Sequence, residues 1–151
     1  PTPPRATSFP HTTLVRSMFG MGALPEKFRK AYDFCRETAG RVMEKARPGV
    51  KCEEIFLASE QMAREAGYES GFLGTPGRKS RFIGHGLGLE VNETPIFGAG
   101  QCYPIEAGAV VAVEPKVVFP GEGVVGIENM YRISDDGYER LTFMDESVFE
   151  V

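Results

Sequence analysis

Residues 110–133, VVAVEPKVVFPGEGVVGIENMYRI, carry the clearest fold signal in this chain. Two runs rich in β-branched residues, 110–119 and 124–133, flank a loop with the sequence PGEG, a pattern that predicts an antiparallel hairpin. Directly opposed residues in a hairpin have numbers with a constant sum, which is 242 for a turn centred on residue 121. We therefore expect Glu114 and Glu128 to face each other across the two strands.

These two glutamates are the positions of the hairpin that need a chemical explanation. Glu114 directly follows the apolar run 110–113, and a buried carboxylate is costly without a cation or several donors beside it. Strand alternation places Glu128 on the face opposite to its apolar neighbours. Opposed like charges destabilise a sheet, whereas a divalent cation between them is shared by both carboxylates. The alternative is that one carboxylate lies in solvent or pairs with Lys116 or Arg132.

His85 adds an imidazole to these carboxylates. It lies in the glycine-rich stretch GHGLGLEVNE, residues 84–93, where neighbouring glycines let the backbone pass close around a side chain. A lone histidine is more often structural or solvated, and the glycine spacing could be mistaken for a dinucleotide-binding fingerprint, although no helix pattern follows it. One histidine with two glutamates predicts a mixed nitrogen and oxygen site for Mn, Fe, Co or Zn.

Two amphipathic helices precede the strands. Apolar residues spaced by three or four predict the first at 25–47 and the second at 52–66, with Gly67 as the C-cap of the second. The predicted buried face of the second helix consists of Ile55, Ala58, Met62 and Ala66. Glycines punctuate 71–88, which is predicted to be loop-rich, and a last strand is expected at 138–143. The chain is thus one α+β unit with an antiparallel meander after the helices.

Composition narrows the classes of partner. The chain has 151 residues, a formal net charge of −4 and scattered basic residues, so we expect neither a nucleic-acid partner nor a membrane partner, and a peptide or small molecule instead. Without a signal-peptide pattern the expected location is cytoplasmic. Three cysteines without CxxC spacing are expected to be reduced thiols.

Three motifs carry a resemblance to a known family. They are GHGLGLEVNETP at 84–95, AVVAVEPKVVFPG at 109–121 and GIENMYRISDDGYERLT at 126–142. In this order and spacing they resemble the closing motifs of the pita-bread metallopeptidases, the group of prolidase, aminopeptidase P, methionine aminopeptidase and creatinase. The resemblance extends back to RSMFG at 16–20 and implies the carboxyl-terminal part of a catalytic domain, with two helices and a curved antiparallel sheet.

The resemblance also implies roles for particular residues. It makes His85 the imidazole metal ligand and a catalytic residue, Glu114 a carboxylate ligand and proton relay, and Glu128 the carboxylate that bridges two metals. Asn92 stands where many relatives place a substrate-contacting histidine. The implied activity is metal-dependent hydrolysis of short peptides, of the Xaa-Pro dipeptidase or aminopeptidase type, with Mn, Co, Zn or Fe as cofactor.

The chain departs from the family pattern at several positions. The family's two upstream metal aspartates would fall at Thr13 and near Thr2, and no Asp precedes Asp33. His11 is more readily explained as a solvent-exposed residue than as a substitute ligand. Gly126 stands where many proline-specific relatives carry an Arg. The metal shell is therefore expected to be incomplete and this chain weakly active or inactive alone.

Two interpretations follow. The first is a metallo-exopeptidase of which this chain is a piece, an expectation also suggested by its start without Met, with a missing amino-terminal half domain or a homodimer partner. The alternative is a metal-free pita-bread module that binds peptide or protein without catalysis.

Overall fold

The computed structural model describes residues 19–20 and 23–150. Two helices are present, α1 (Glu26–Lys45) and α2 (Cys52–Glu65). The strands in chain order are β1 (Phe19–Gly20), β2 (Gly74–Thr75), β3 (Arg78–Lys79), β4 (Phe82–Gly86), β5 (Glu93–Gly98), β6 (Val110–Val113), β7 (Lys116–Phe119), β8 (Gly123–Gly126), β9 (Asn129–Ile133), β10 (Tyr138–Arg140) and β11 (Phe149–Glu150). Within these residues, no helix is both long and apolar enough to span a membrane.

The two helices begin and end close to the predicted positions. Pro25 occupies the N-cap position of α1 and does not lie inside the first turn. Gly67 follows α2 with a φ of 77°, the left-handed conformation that glycine adopts at low cost after a helix. Helix boundaries are thus accessible from local sequence, because caps and breakers act within a few residues.

The buried face of α2 differs from the predicted one. The residues buried on α2 are Cys52, Ile55, Phe56, Ser59 and Ala63. Of the predicted face only Ile55 is buried, and Ala66 is exposed. Ser59 can be buried because its hydroxyl donates a hydrogen bond of 2.6 Å to the Phe56 carbonyl oxygen. Ala58 and Met62 are half-buried, so the buried face is rotated relative to the predicted one and includes the polar Ser59.

The main sheet is antiparallel and has five strands in the order β10-β9-β6-β4-β5. The predicted meander is confirmed, because β6, β9 and β10 pair in chain order. The loop-rich prediction for 71–88 is wrong in part, since β4 lies inside the sheet between β5 and β6. Helix α2 packs on β4 and β5, while α1 packs on α2 and on the β7–β8 ribbon.

The hairpin at 110–133 forms in two separate sections. In both ladders, β6 with β9 and β7 with β8, paired residue numbers have the predicted sum of 242. The two long strands that the sequence predicted are each interrupted, at 114–115 and at 127–128. Pro115 has no N–H to donate, and its carbonyl oxygen accepts a hydrogen bond of 3.2 Å from the Ile127 nitrogen. The interruption separates the main sheet from the β7–β8 ribbon.

Burial along the second half of the hairpin follows the predicted alternation. The odd-numbered residues from Val125 to Ile133 are buried, and the even-numbered ones between them are half-buried or exposed. The predicted strand at 138–143 is shorter, because β10 ends at Arg140.

Candidate metal centre

Glu114 and Glu128 occupy the interruption between the two ladders. On one side of them Val113 pairs with Asn129, and on the other Lys116 pairs with Gly126. The constant register on both sides puts the two glutamates at opposed positions along the hairpin, and the approach of their side chains to each other stays a prediction. Both residues are half-buried. Both glutamates therefore lie in the interruption between the β6–β9 ladder and the β7–β8 ladder.

His85 lies on β4, which is the neighbour of β6 in the main sheet. Its backbone pairs with Ala112 of β6 on one side and Ile96 of β5 on the other, and its side chain is buried. The Nδ1 atom lies 3.0 Å from the Gly86 carbonyl oxygen. A carbonyl oxygen only accepts hydrogen bonds, so Nδ1 is the donor, and in the neutral imidazole the lone pair then lies on Nε2. This tautomer presents a ligand nitrogen.

The glycines beside His85 have a packing role within the sheet. A Cβ atom at Gly84 would lie 2.6 Å from the Ala112 carbonyl oxygen, and a Cβ atom at Gly86 would lie 2.3 Å from the Thr94 carbonyl oxygen. Both distances are far below van der Waals contact. The glycines thus allow neighbouring strands to approach β4 closely.

The structure brings His85 and Glu114 together. The Nε2 atom of His85 lies 3.9 Å from Oε1 of Glu114. Two ligand bonds of about 2.1 Å each can span at most about 4.2 Å, so one cation can touch both atoms. In donor chemistry and spacing this pair fits a divalent metal ion. Among residues 19–20 and 23–150, however, no group of three His, Cys, Asp or Glu side chains is placed to hold a metal. Ligation by Glu128 stays a prediction.

Glu114 has a cationic neighbour. The Nζ atom of Lys116 donates a hydrogen bond of 2.7 Å to Oε2 of Glu114. One alternative considered for these carboxylates, pairing with Lys116, is therefore realised at Glu114. Arg132, the other cation considered, pairs with Glu139 at 2.7 Å on the neighbouring strand. Glu114 thus lies between an imidazole and an ammonium group.

The other predicted site residues are less closely connected to this pair. Asn92 lies exposed in the bend between β4 and β5, where the Glu93 carboxylate accepts a hydrogen bond of 2.6 Å from the Glu90 nitrogen. Its role in substrate binding stays a prediction. Thr2, His11 and Thr13 lie outside the described residues.

The sequence did not reveal a polar network beside Glu128, here called the Glu146 cluster: Arg36, Asn129, Arg140, Thr142 and Glu146. Asn129, which is buried, donates a hydrogen bond of 2.9 Å to Glu146 and accepts one of 2.8 Å from Thr142. Arg140 also bonds the Glu146 carboxylate, and Arg36 of α1 lies 3.4 Å from it. A buried asparagine next to a predicted ligand was the only signal available.

The charges of this cluster act on Glu146. Burial by itself would raise the pKa of the Glu146 carboxyl group, but the hydrogen bond from Asn129 and the positive charges of Arg140 and Arg36 together hold that pKa below its usual value. The cluster joins β9, β10 and α1 through Asn129, which follows Glu128 in the chain.

Comparison with known proteins places these observations in a family. The profile of a family described as metallopeptidase family M24 matches residues 11–135. The chain is 31% identical over 122 residues to the Xaa-Pro dipeptidase of Pyrococcus furiosus, which covers 81% of this chain and 33% of that protein. It is also 32% identical over 126 residues to the agropine synthesis cyclase of Rhizobium rhizogenes, covering 83% of this chain and 30% of that protein.

A solved structure has the same fold. The crystal structure of the X-Pro aminopeptidase from Thermotoga maritima matches with a TM-score of 0.77 and 27% identity, over 87% of this chain and 35% of that one. The chain thus spans about a third of the length of the relatives that it matches.

Proposed function

Because this chain belongs to metallopeptidase family M24, we propose that it forms part of the catalytic domain of a metal-dependent exopeptidase that hydrolyses short peptides of the Xaa-Pro type. The observation that carries the proposal is the 3.9 Å separation of His85 Nε2 and Glu114 Oε1 on adjoining segments of the sheet. A relative that is 31% identical to this chain is named Xaa-Pro dipeptidase, which supports this substrate class.

In this proposal His85, Glu114 and Glu128 hold the metal. A divalent ion bound there would supply an activated water and polarise the scissile carbonyl. The Gly86 carbonyl oxygen fixes the imidazole by accepting from Nδ1, so that Nε2 stays directed at Glu114. Glu114 would hold the metal through Oε1, and Oε2, which accepts a hydrogen bond from Lys116, would be the oxygen that relays a proton of the attacking water.

The ligand set is short by the two family aspartates, so we expect the chain alone to bind metal weakly and to turn over little or no peptide. Titration with Mn²⁺ by calorimetry should show weak binding that His85→Asn abolishes. A Thr13→Asp variant should recover part of the affinity. Binding that is indifferent to His85→Asn would contradict the proposed site.

Activity gives a second test of the same proposal. Hydrolysis of an Xaa-Pro dipeptide with added Mn²⁺ should be near background for the chain, and any turnover present should be lost in Glu128→Gln. Glu122→Gln is the matched control, because Glu122 is exposed in the loop after β7 and pairs with Lys27. Fast turnover by the unmodified chain would contradict the incomplete metal shell.

A second candidate is a metal-free module that binds peptide without hydrolysis, and the Lys116 to Glu114 ion pair favours it by supplying a cation that belongs to the protein. This candidate predicts that peptide binding, measured by calorimetry, persists in excess chelator. Loss of all peptide binding on chelation would contradict it and favour the metal-dependent function.

A further inference from the structure

Lys116 and Glu114 form an ion pair at the proposed metal site. The ammonium group bonds Oε2 of Glu114 at 2.7 Å, while Oε1 lies 3.9 Å from the imidazole of His85. The lysine and glutamate side chains are 34% and 23% exposed, so the pair is partly shielded from water. An ion pair in this setting keeps more of its attraction than one on an open surface.

The backbone holds the two side chains on one side of the strand. Lys116 lies two residues after Glu114, and residues so spaced along an extended chain project to the same face. Pro115 between them is buried, and its carbonyl oxygen accepts from the Ile127 nitrogen at 3.2 Å. The lysine is therefore anchored beside the carboxylate by a stiff segment.

Gly126 leaves the space that Lys116 occupies. The two residues are directly paired in the β7–β8 ladder. A Cβ atom at position 126 would lie 2.8 Å from the Lys116 Cβ and 2.9 Å from the Pro115 carbonyl oxygen. A side chain at that position would force the strand carrying Lys116 to move. The observed position of Lys116 thus requires a residue without a side chain at position 126.

We propose that Lys116 is a built-in competitor for the metal, a cation of the protein that occupies Glu114 and lowers the affinity of the site for divalent ions. This inference rests on the metal site of the proposed function. The carboxylate has a single negative charge, and the ammonium group shares it. A divalent ion at Oε1 would meet a ligand already paired and a positive charge nearby, so metal binding has to displace the lysine or act against its repulsion.

The test compares the Mn²⁺ affinity of a variant that loses the positive charge at Lys116 with that of a variant that loses a positive charge at Lys30. In calorimetric titrations with Mn²⁺, Lys116→Gln should bind about tenfold more tightly than the unmodified chain, because a neutral amide removes the repulsion and keeps a hydrogen-bond donor. Lys116→Arg should bind like the unmodified chain. Lys30→Gln is the matched control, since Lys30 is exposed on α1 and pairs with Glu26 one turn away, and it should leave affinity unchanged.

Thermal unfolding provides a readout that does not depend on activity. Without metal, Lys116→Gln should melt at a lower temperature than the unmodified chain, and added Mn²⁺ should raise its melting temperature by more. Unchanged or weaker Mn²⁺ binding in Lys116→Gln, or absence of binding in both proteins, overturns the competitor role. If His85→Asn abolishes Mn²⁺ binding while Lys116→Gln leaves the Mn²⁺ affinity unchanged, the competitor role of Lys116 is wrong and the proposed metal site is supported.

Discussion

Helix α1 is held to the rest of the molecule by two regions of opposite character. One is the apolar core, in which Val42 and Met43 are fully buried in the same hydrophobic cluster as Val125 of β8. The other is the Glu146 cluster, through which Arg36 contacts the segment after β10, and the Tyr32 hydroxyl donates to the Glu146 carbonyl oxygen beside it. Both regions join residues that lie far apart in the chain.

The two regions differ in what they demand of the sequence. Apolar contacts are non-directional, so any residue of suitable size at a helical spacing satisfies them. The cluster requires particular donors opposite one carboxylate, and its strength depends on the charge of that carboxylate. The contribution of the core to stability should therefore depend on side-chain volume and not on pH. The contribution of the Glu146 cluster should depend on pH and less on side-chain volume.

The largest expected effect is in the core. Met43→Ala should reduce the free energy of unfolding by about 2–5 kcal/mol, because it leaves a cavity that close-packed neighbours fill only in part. Chemical denaturation monitored by circular dichroism measures this loss. The loss should be the same at pH 5 and pH 8, and a strong pH dependence would break the contrast between the regions.

Glu146→Gln should have the next largest effect, a loss of about 1.5–3 kcal/mol at neutral pH, since hydrogen bonds to a charged group are replaced by bonds to a neutral amide. Asp135→Asn is a control, because Asp135 is exposed in the turn before β10. A loss no larger than that of the control would show that the cluster adds little to stability.

The pH dependence of the cluster has a defined sign. The folded-state pKa of Glu146 lies below its unfolded value of about 4.5. Its stabilising contribution is therefore complete above that pH and is lost as the pH falls through the folded-state pKa. Arg36 and Arg140 stay charged throughout. Denaturation midpoints from pH 6 to pH 3 should fall less in Glu146→Gln than in the unmodified chain, and parallel curves would contradict the assignment.

A smaller effect is expected at the edge of the cluster. Arg36 is 46% exposed, so its ion pair with Glu146 is screened by solvent. Arg36→Gln should cost between 0 and about 1 kcal/mol. Arg41→Gln, on the same helix and paired with exposed Glu37, is the matched control for loss of a surface arginine. A loss of unfolding free energy equal to that of Glu146→Gln would show that the Arg36 ion pair contributes as much as all the bonds of the Glu146 carboxylate.

The last prediction concerns the reactivity of the three cysteine thiols, which distinguishes buried cysteines from the exposed one. Burial raises the pKa of Cys35 to about 12 and that of Cys52 to about 11, while Cys102 is exposed. Because the thiolate is the reactive form, iodoacetamide at pH 8 should label Cys102 in the folded protein and all three cysteines after unfolding. Mass spectrometry reads the sites, and early labelling of Cys35 would show that the core opens.

The hairpin shows how far local sequence can reach towards the site. Residue sums alone predicted the register that both ladders have, and alternation predicted which side of β9 is buried. The meeting of His85 with Glu114 was anticipated from their motifs. The interruption at Pro115 was not, although a proline in a strand is itself a local signal.

Spacing, caps and alternation act between near neighbours, so local pattern was sufficient for the helix ends, the hairpin register and the residue types at the site. Three features were visible only after folding: β4 lies beside β6, Lys116 and not Arg132 pairs with Glu114, and Glu146 accepts from donors on α1, β9 and β10. Polar contacts between distant segments depend on which groups meet after packing. Several cations and carboxylates could form such pairs, and local pattern does not distinguish among them.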